Sequence, residues 1–287
     1  MNCTGTTASL RKYRIPVNLP YELRYSPTML GAIIGDIVGS VYEWKNVRRK
    51  DFGPLFHPDA FYTDDTVCTV AVADALVNDL HPGRALKDWG RRYWENGGWG
   101  GMFSRWLISD SLEPYNSYGN GAAMRVSPAG LLAASEEDAI RLSAHVTKVT
   151  HNHPEGLKGA AATALAIFMA RQGSDSSEIR LAISQQFGYH MDRTPDDIRP
   201  TYRFNETCQE TVPQALVCAL KASDFEDAIR NAISIGGDSD TVAAIAGGVA
   251  EALYGIPEDV LVKGWSFLPP DMQDVLEALY REETART

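Results

Sequence analysis

The chain has 287 residues, 44% hydrophobic and 22% charged, with a formal net charge of -10. That length can bury a large core as one big domain or two, and the composition is that of an ordinary soluble globular protein. The acidic balance excludes nucleic acid as an expected partner, because neutralising a phosphate backbone needs a Lys/Arg footprint; a small phosphorylated ligand held by a few local groups stays compatible with it.

In chain order, residues 1–28 stand apart. They mix prolines with basic and aromatic residues (Arg11, Lys12, Tyr13, Arg14, Tyr21), show no period and lack the apolar stretch of a secretory signal. They read as an extended or partly disordered arm, ahead of one domain over 29–287. From Met29 on, helical patterns dominate. "TMLGAIIGDIVGSVYEW" (28–44) carries apolar residues at three- and four-residue spacing with small residues between, as a tightly packed buried helix does. "DDTVCTVAVADALVNDL" (64–80) repeats the pattern. "SEEDAIRLSAHVTKVTH" (135–151) opens with Ser135 three residues before Asp138, close to a capping box. "HPEGLKGAAATALAIFMARQG" (153–173) puts Pro154 in a first turn and Gly173 past the end. "DFEDAIRNAISIGG" (224–237) and "SDTVAAIAGGVAEALYG" (239–255) are two more helices. Alternating strand patterns are scarce, so the expected fold is an all-α, compact multi-helix globule.

Gly31, Gly35 and Gly39 lie four apart, and Gly247 and Gly248 interrupt a later helix. Glycine inside a helix costs roughly 1 kcal/mol against alanine, so close backbone packing is the expected reason for them. No run of about 18 apolar residues exists, so no membrane span is expected. The four cysteines (Cys3, Cys68, Cys208, Cys218) match no zinc spacing, and they read as free thiols of a cytoplasmic protein.

Two patches carry the densest chemistry. "YTDDTV" holds Thr63, Asp64, Asp65 and Thr66; "GGDSDTV" holds Asp238, Ser239, Asp240 and Thr241. Each opens a helix-like segment, and for either alone helix capping is at least as good a reading. Together they favour a cation: a cap needs one acceptor, and a second adjacent carboxylate adds repulsion that a divalent ion relieves. Carboxylate and hydroxyl oxygens are hard ligands, suited to Mg²⁺ or Mn²⁺ rather than zinc. An EF-hand is excluded, because "DSDTV" lacks that loop's third acidic position and its glycine. Elsewhere, "NSYGNGAAMR" (116–125) is a glycine-bearing loop whose Gly119 and Gly121 would let backbone N–H groups approach an anion. "THNHPEG" offers His151 and His153 without a third zinc ligand nearby. In "ENGGWGGMFSRW", Trp99 between glycine pairs is the better candidate to line a pocket, and Trp106 reads as core.

With "GAIIGDIVGSVYEW", "YTDDT", "YGNGAAMRVSPAG", "VTHNHPEG" and "IGGDSDT" in this order, residues 29–254 resemble the ADP-ribosylglycohydrolase family. The resemblance implies an all-α fold with a centre of two Mg²⁺ (or Mn²⁺) ions. It implies metal ligation by Thr63, Asp64 and Asp65 from one side, and by Asp238, Asp240 and Thr241 from the other. It places Glu43 near the cleft in gating or proton transfer, with Asp36 fixing loops near the centre. Ser117, Tyr118, Gly119, Asn120 and Gly121 would cradle the diphosphate and ribose of ADP-ribose, with His151 near the phosphates. Arg125 reads as a contact or a structural ion-pair residue. The implied reaction removes ADP-ribose from modified proteins, with Asp65 and Glu43 sharing water activation and leaving-group assistance. An acidic cleft suits an arginine linkage; serine-linked ADP-ribose and small molecules such as O-acetyl-ADP-ribose are the alternatives, and a non-catalytic binding or inhibitor module is the rival class. Some bacterial relatives serve as immunity proteins, which makes a cognate ADP-ribosyltransferase toxin an expected partner of residues 1–28.

Overall fold

A computed structural model of the chain describes residues 30–286, with side-chain surroundings up to residue 283. The arm expected over residues 1–28 lies outside the described residues. The helices run α1 (Leu30–Gly39), α2 (Asp64–Val77), α3 (Pro82–Arg92), α4 (Gly101–Ile108), α5 (Gly121–Met124), α6 (Ser127–Leu132), α7 (Glu136–Thr147) and α8 (Pro154–Arg171). They continue with α9 (Ser176–Phe187), α10 (Pro195–Ile198), α11 (Cys208–Leu220), α12 (Phe225–Ile235), α13 (Ser239–Tyr254), α14 (Glu258–Trp265) and α15 (Pro270–Arg286). Among the described residues no strand forms; one isolated antiparallel bridge joins Gly119 to Thr207. The all-α expectation therefore holds.

Local chemistry sets most helix ends. Ser135 caps α7 by accepting from the Asp138 amide at 3.1 Å. Pro154 occupies the first turn of α8, where its missing N–H costs nothing, and Gly173 follows the end at φ +88°. The buried run Gly159–Ala170 makes α8 a central rod that packs against α6, α7, α11 and α13. The first helix is shorter than its periodicity suggests. It stops at Gly39, and residues 40–46 turn across the start of α13. There Asn46 Nδ2 donates to Tyr42 O and Gly237 O at 2.8 and 2.9 Å, while the Gly237 amide donates to Asn46 Oδ1 at 2.8 Å.

The closest helix pair is α1 against α13. A Cβ added at Gly31 would stand 2.3 Å from Gly247 O, one at Gly35 2.0 Å from Ala243 O, and one at Gly39 2.4 Å from Asp240 Cα. Both backbones thus touch along the whole of α1, and the four-residue glycine spacing is a packing seam, as expected. Its last contact falls on Asp240, so the seam also sets the height of that carboxylate relative to α1. Substituting Gly35→Ala is expected to lower unfolding stability by about 1–3 kcal/mol or more, the usual cost of overpacking. It should weaken Mn²⁺ affinity in parallel, because the helices must separate where Asp240 is held. Urea denaturation and metal titration check both; an unchanged metal affinity would uncouple the seam from the site.

Candidate metal centre and substrate cleft

The acidic patches meet. Thr241 Oγ1, in the first turn of α13, donates to Asp65 Oδ1 in the first turn of α2 at 3.3 Å. Oxygens of Glu43, Asp238 and Asp240 lie within 4.8 Å of one another. With Asp64, these side chains form one wall of a cleft of about 400 Å³. Other walls come from Gly98, Gly100 to Phe103, Tyr115 to Gly121, and Glu206 with Thr207; Cys68, Met124, Arg125 and His151 also line it.

Capping does not account for these carboxylates. Thr63 is the cap of α2, its Oγ1 accepting from the Asp65 amide at 3.3 Å, so Asp64 and Asp65 are not needed for that task. Asp238 stands at the cap position of α13 but makes no capping hydrogen bond; its Oδ2 accepts from Asn120 Nδ2 at 2.7 Å. The buried oxygens Asp65 Oδ2 and Asp240 Oδ1 have no hydrogen-bond partner. A buried carboxylate oxygen without a donor is costly. Hard oxygens left over on two facing helix starts fit a divalent cation. The turn before Asp238 makes this placement possible: Gly236 and Gly237 have φ of +71° and +82°, a conformation glycine adopts without strain.

Asp36 has a different task. Fully buried, it accepts from the amide and hydroxyl of Thr63 at 2.9 and 2.7 Å, from the Thr66 amide at 3.1 Å and from the Thr66 hydroxyl. It thus bolts α1 to the start of α2, in line with the expected loop-fixing role. The same bonds use the Thr63 hydroxyl as a donor to Asp36, and Thr63 does not reach the cleft wall. The structure therefore puts Thr63 behind the carboxylates expected to ligate beside it.

Trp99 also sits away from the cleft surface. The flanking Gly98 and Gly100 form the wall, while the Trp99 indole stacks on Trp94 and packs on Phe103, its N–H donating to Trp94 O at 2.8 Å. The glycines give the cleft its room, and the indole finds its partners behind them. The Gly98 amide contributes directly, donating to Asp64. Asn120, expected as a substrate contact, lines the cleft and also ties Asp238 to Thr211, at 2.7 and 3.3 Å. Ser117, Tyr118, Gly119 and Gly121 line it as well. The amides of Gly119 and Asn120 are engaged by Ser117 Oγ and Glu206 O at 3.1 and 2.7 Å, so they do not form a free anion nest. The sequence reading missed Asn46 as the clasp on the Gly237 turn. It also missed Tyr115 and Glu206 in the cleft; no local motif marks any of the three.

Burial first, and then mutual repulsion, pushes the acidic groups upward. Asp64 and Glu43 rise to about 7, each burdened by Asp238 and Asp36, and Glu43 also by Asp64. Asp36 rises to about 6 through burial, in spite of its hydrogen bonds. Asp65 and Asp240 are driven well above the usual range, by burial and then by neighbouring carboxylates. Without a cation, ionising this cluster opposes folding. A folded pKa above the unfolded one gives stability that is present at acid pH and lost as pH rises through the folded values. In chelator, the melting temperature is therefore expected to fall as pH rises across the window around 6 to 7. Mn²⁺ should flatten that fall. Calorimetry in EDTA and in Mn²⁺ checks this; identical profiles would refute cation binding by the cluster.

Comparison with known proteins agrees with this geometry. A family model described as ADP-ribosylglycohydrolase matches residues 19–286, beginning within the stretch read as an arm. ADP-ribosylhydrolase ARH3 of Homo sapiens is 28% identical, aligned over 84% of this chain and 88% of its own length. ADP-ribosylarginine hydrolase Tri1 of Pseudomonas putida is 27% identical, over 85% and 75%. A solved structure titled "ADP-ribosylglycohydrolase-related protein complex" shares the fold, with a TM-score of 0.67 at 23% identity, covering 89% of this chain and 97% of that one. The match spans nearly the whole chain and includes both acidic helix starts: the protein belongs to the ADP-ribosylglycohydrolase family and is an enzyme of that type.

Proposed function

We propose that the enzyme removes ADP-ribose from arginine side chains of modified proteins, using a pair of Mg²⁺ or Mn²⁺ ions. The observation that carries this is the convergence of Glu43, Asp64, Asp65, Asp238 and Asp240 on one cleft, with buried oxygens lacking donors. Asp64, Asp65, Asp238, Asp240 and Thr241 would hold the ions, with Thr63 supporting from behind. When bound, such ions offset the carboxylate charge and supply Lewis acidity.

The chain's own groups account for the rest. Hydrolysis of the glycosidic bond places a water at the anomeric carbon and returns a proton to the departing nitrogen. Asp65, oriented by Thr241, is positioned to align and deprotonate the water. Glu43 is half-buried at the cleft, where burial raises its carboxyl above the usual range, and it is placed to exchange a proton with the leaving group. The oxocarbenium character that develops at the sugar is stabilised by the surrounding negative charge. The likeness to the ADP-ribosylarginine hydrolase of Pseudomonas putida favours the arginine linkage. Serine-linked and small-molecule ADP-ribose are the alternative substrates. Protection against an ADP-ribosylating toxin, with residues 1–28 touching the toxin, belongs to this reading on sequence grounds alone. A cytoplasmic location accords with the free, buried Cys68, Cys208 and Cys218. No helix among the described residues is long and apolar enough to cross a membrane.

Incubation with arginine- and serine-ADP-ribosylated proteins, with and without EDTA, tests the reading. Release of ADP-ribose from the arginine-linked protein, lost in EDTA, is expected; release only from the serine-linked protein would move the linkage, and release insensitive to EDTA would refute the metal centre. Glu43→Gln is expected to lower kcat by about 10²–10⁴-fold, the usual worth of a positioned acid or base. Asp240→Asn should abolish Mn²⁺ binding in a titration.

A further inference from the structure

Arg125 is a buried cation without a counter-charge. It is 1% exposed, it forms no salt bridge among the described residues, and its Nε has no hydrogen-bond partner. The structural ion pair suggested for it by sequence is absent there. The Phe103 ring lies 5.7 Å from its guanidinium carbon, and the neighbouring Cys68 thiol is held neutral by burial. Breaking up or omitting the partner of a buried charge is strongly unfavourable, so the placement of Arg125 on the cleft wall calls for a reason.

Its hydrogen bonds supply one. Arg125 Nη2 stands 2.6 Å from Thr150 Oγ1 and 3.2 Å from His151 Nδ1, and Thr150 Oγ1 stands 2.9 Å from the same Nδ1. A guanidinium only donates. His151 Nδ1 must therefore accept, and the Thr150 hydroxyl, having accepted from Arg125, donates its own proton to Nδ1. A neutral imidazole that accepts at Nδ1 carries its hydrogen on Nε2. That nitrogen faces the glycine loop: a Cβ at Gly119 or Gly121 would stand 3.5 or 3.4 Å from it. The two glycines leave Nε2 uncovered toward the cleft, where His151 is itself only 5% exposed.

We infer that Arg125 is a positioning residue that locks His151 as a neutral Nε2–H donor aimed at the anionic portion of the substrate. Together with the amides already engaged by Ser117 and Glu206, this shifts anion recognition from the loop backbone to a side chain behind it. The assignment rests on the proposed use of ADP-ribose as ligand, but its test does not depend on turnover.

Histidine-¹⁵N-labelled full-length enzyme with Mg²⁺ would be observed by long-range ¹H–¹⁵N correlation, with His151→Asn identifying the signals. The wild type is expected to show His151 neutral with hydrogen on Nε2; Arg125→Met should populate the other tautomer. Calorimetric titration with free ADP-ribose should show Kd raised about tenfold, or 1.4 kcal/mol, in Arg125→Met. The double variant Arg125→Met/His151→Asn should bind no more weakly than His151→Asn alone, since Arg125 acts through the ring. A wild-type hydrogen on Nδ1, an unchanged tautomer in Arg125→Met, or additive losses in the double variant would overturn the assignment. Should Arg125→Met fail to fold, the wild-type spectrum and Thr150→Val, expected to weaken the same lock, still decide it. If arginine-linked substrate is not hydrolysed, the proposed function fails while these readouts still judge Arg125.

Discussion

The contact between α1 and α13 is the constraint on which the site depends. Two helices ordinarily approach to 8–10 Å, separated by side chains. Here Gly31, Gly35 and Gly39 remove those side chains, and the α1 backbone lies directly on Gly247, Ala243 and Asp240. Two consequences follow. Asp36, buried on α1, reaches the start of α2 and ties it down through Thr63 and Thr66. Glu43, just past the end of α1, arrives beside Asp238 and Asp240 at the start of α13. Three elements far apart in sequence are thus brought to one point by a seam made of missing side chains.

Positioning so many carboxylates together works against folding in the absence of a cation. Burial raises every one of them, and neighbouring carboxylates push Asp64, Asp65 and Asp240 higher still. The scaffold tolerates this because the surrounding groups are fixed independently. Asn46 clasps the Gly236–Gly237 turn, Asn120 holds Asp238, and Thr241 holds Asp65. Such a cluster is strained toward binding, and the oxygens that lack donors mark where a cation is wanted. On the wall of the same cleft, buried Arg125 stands behind His151.

Much of this was legible in the sequence, for reasons that can be named. The helices were readable because amphipathic periodicity, Ser135 and Pro154 are local signals. The glycine spacing foretold close packing, though not the partner helix, since a seam has no complement in the sequence. The doubled aspartates announced a cation because local capping cannot use two adjacent carboxylates. Where the reading diverged, the deciding contact was tertiary. Trp99 was expected on the cleft, yet its neighbours Gly98 and Gly100 line it, because the indole stacks on Trp94 and Phe103. Thr63 is spent on Asp36 through a bond spanning 27 residues. The roles of Asn46 and Arg125 are likewise invisible locally, because each depends on partners contributed by another loop.

Anomalous diffraction from crystals grown with Mn²⁺ tests the central claim most directly. Two anomalous peaks between the starts of α2 and α13, bounded by Asp64, Asp65, Asp238 and Asp240, are the predicted result. Density showing these carboxylates without manganese between them, while the cation sits elsewhere or nowhere on the protein, would contradict it.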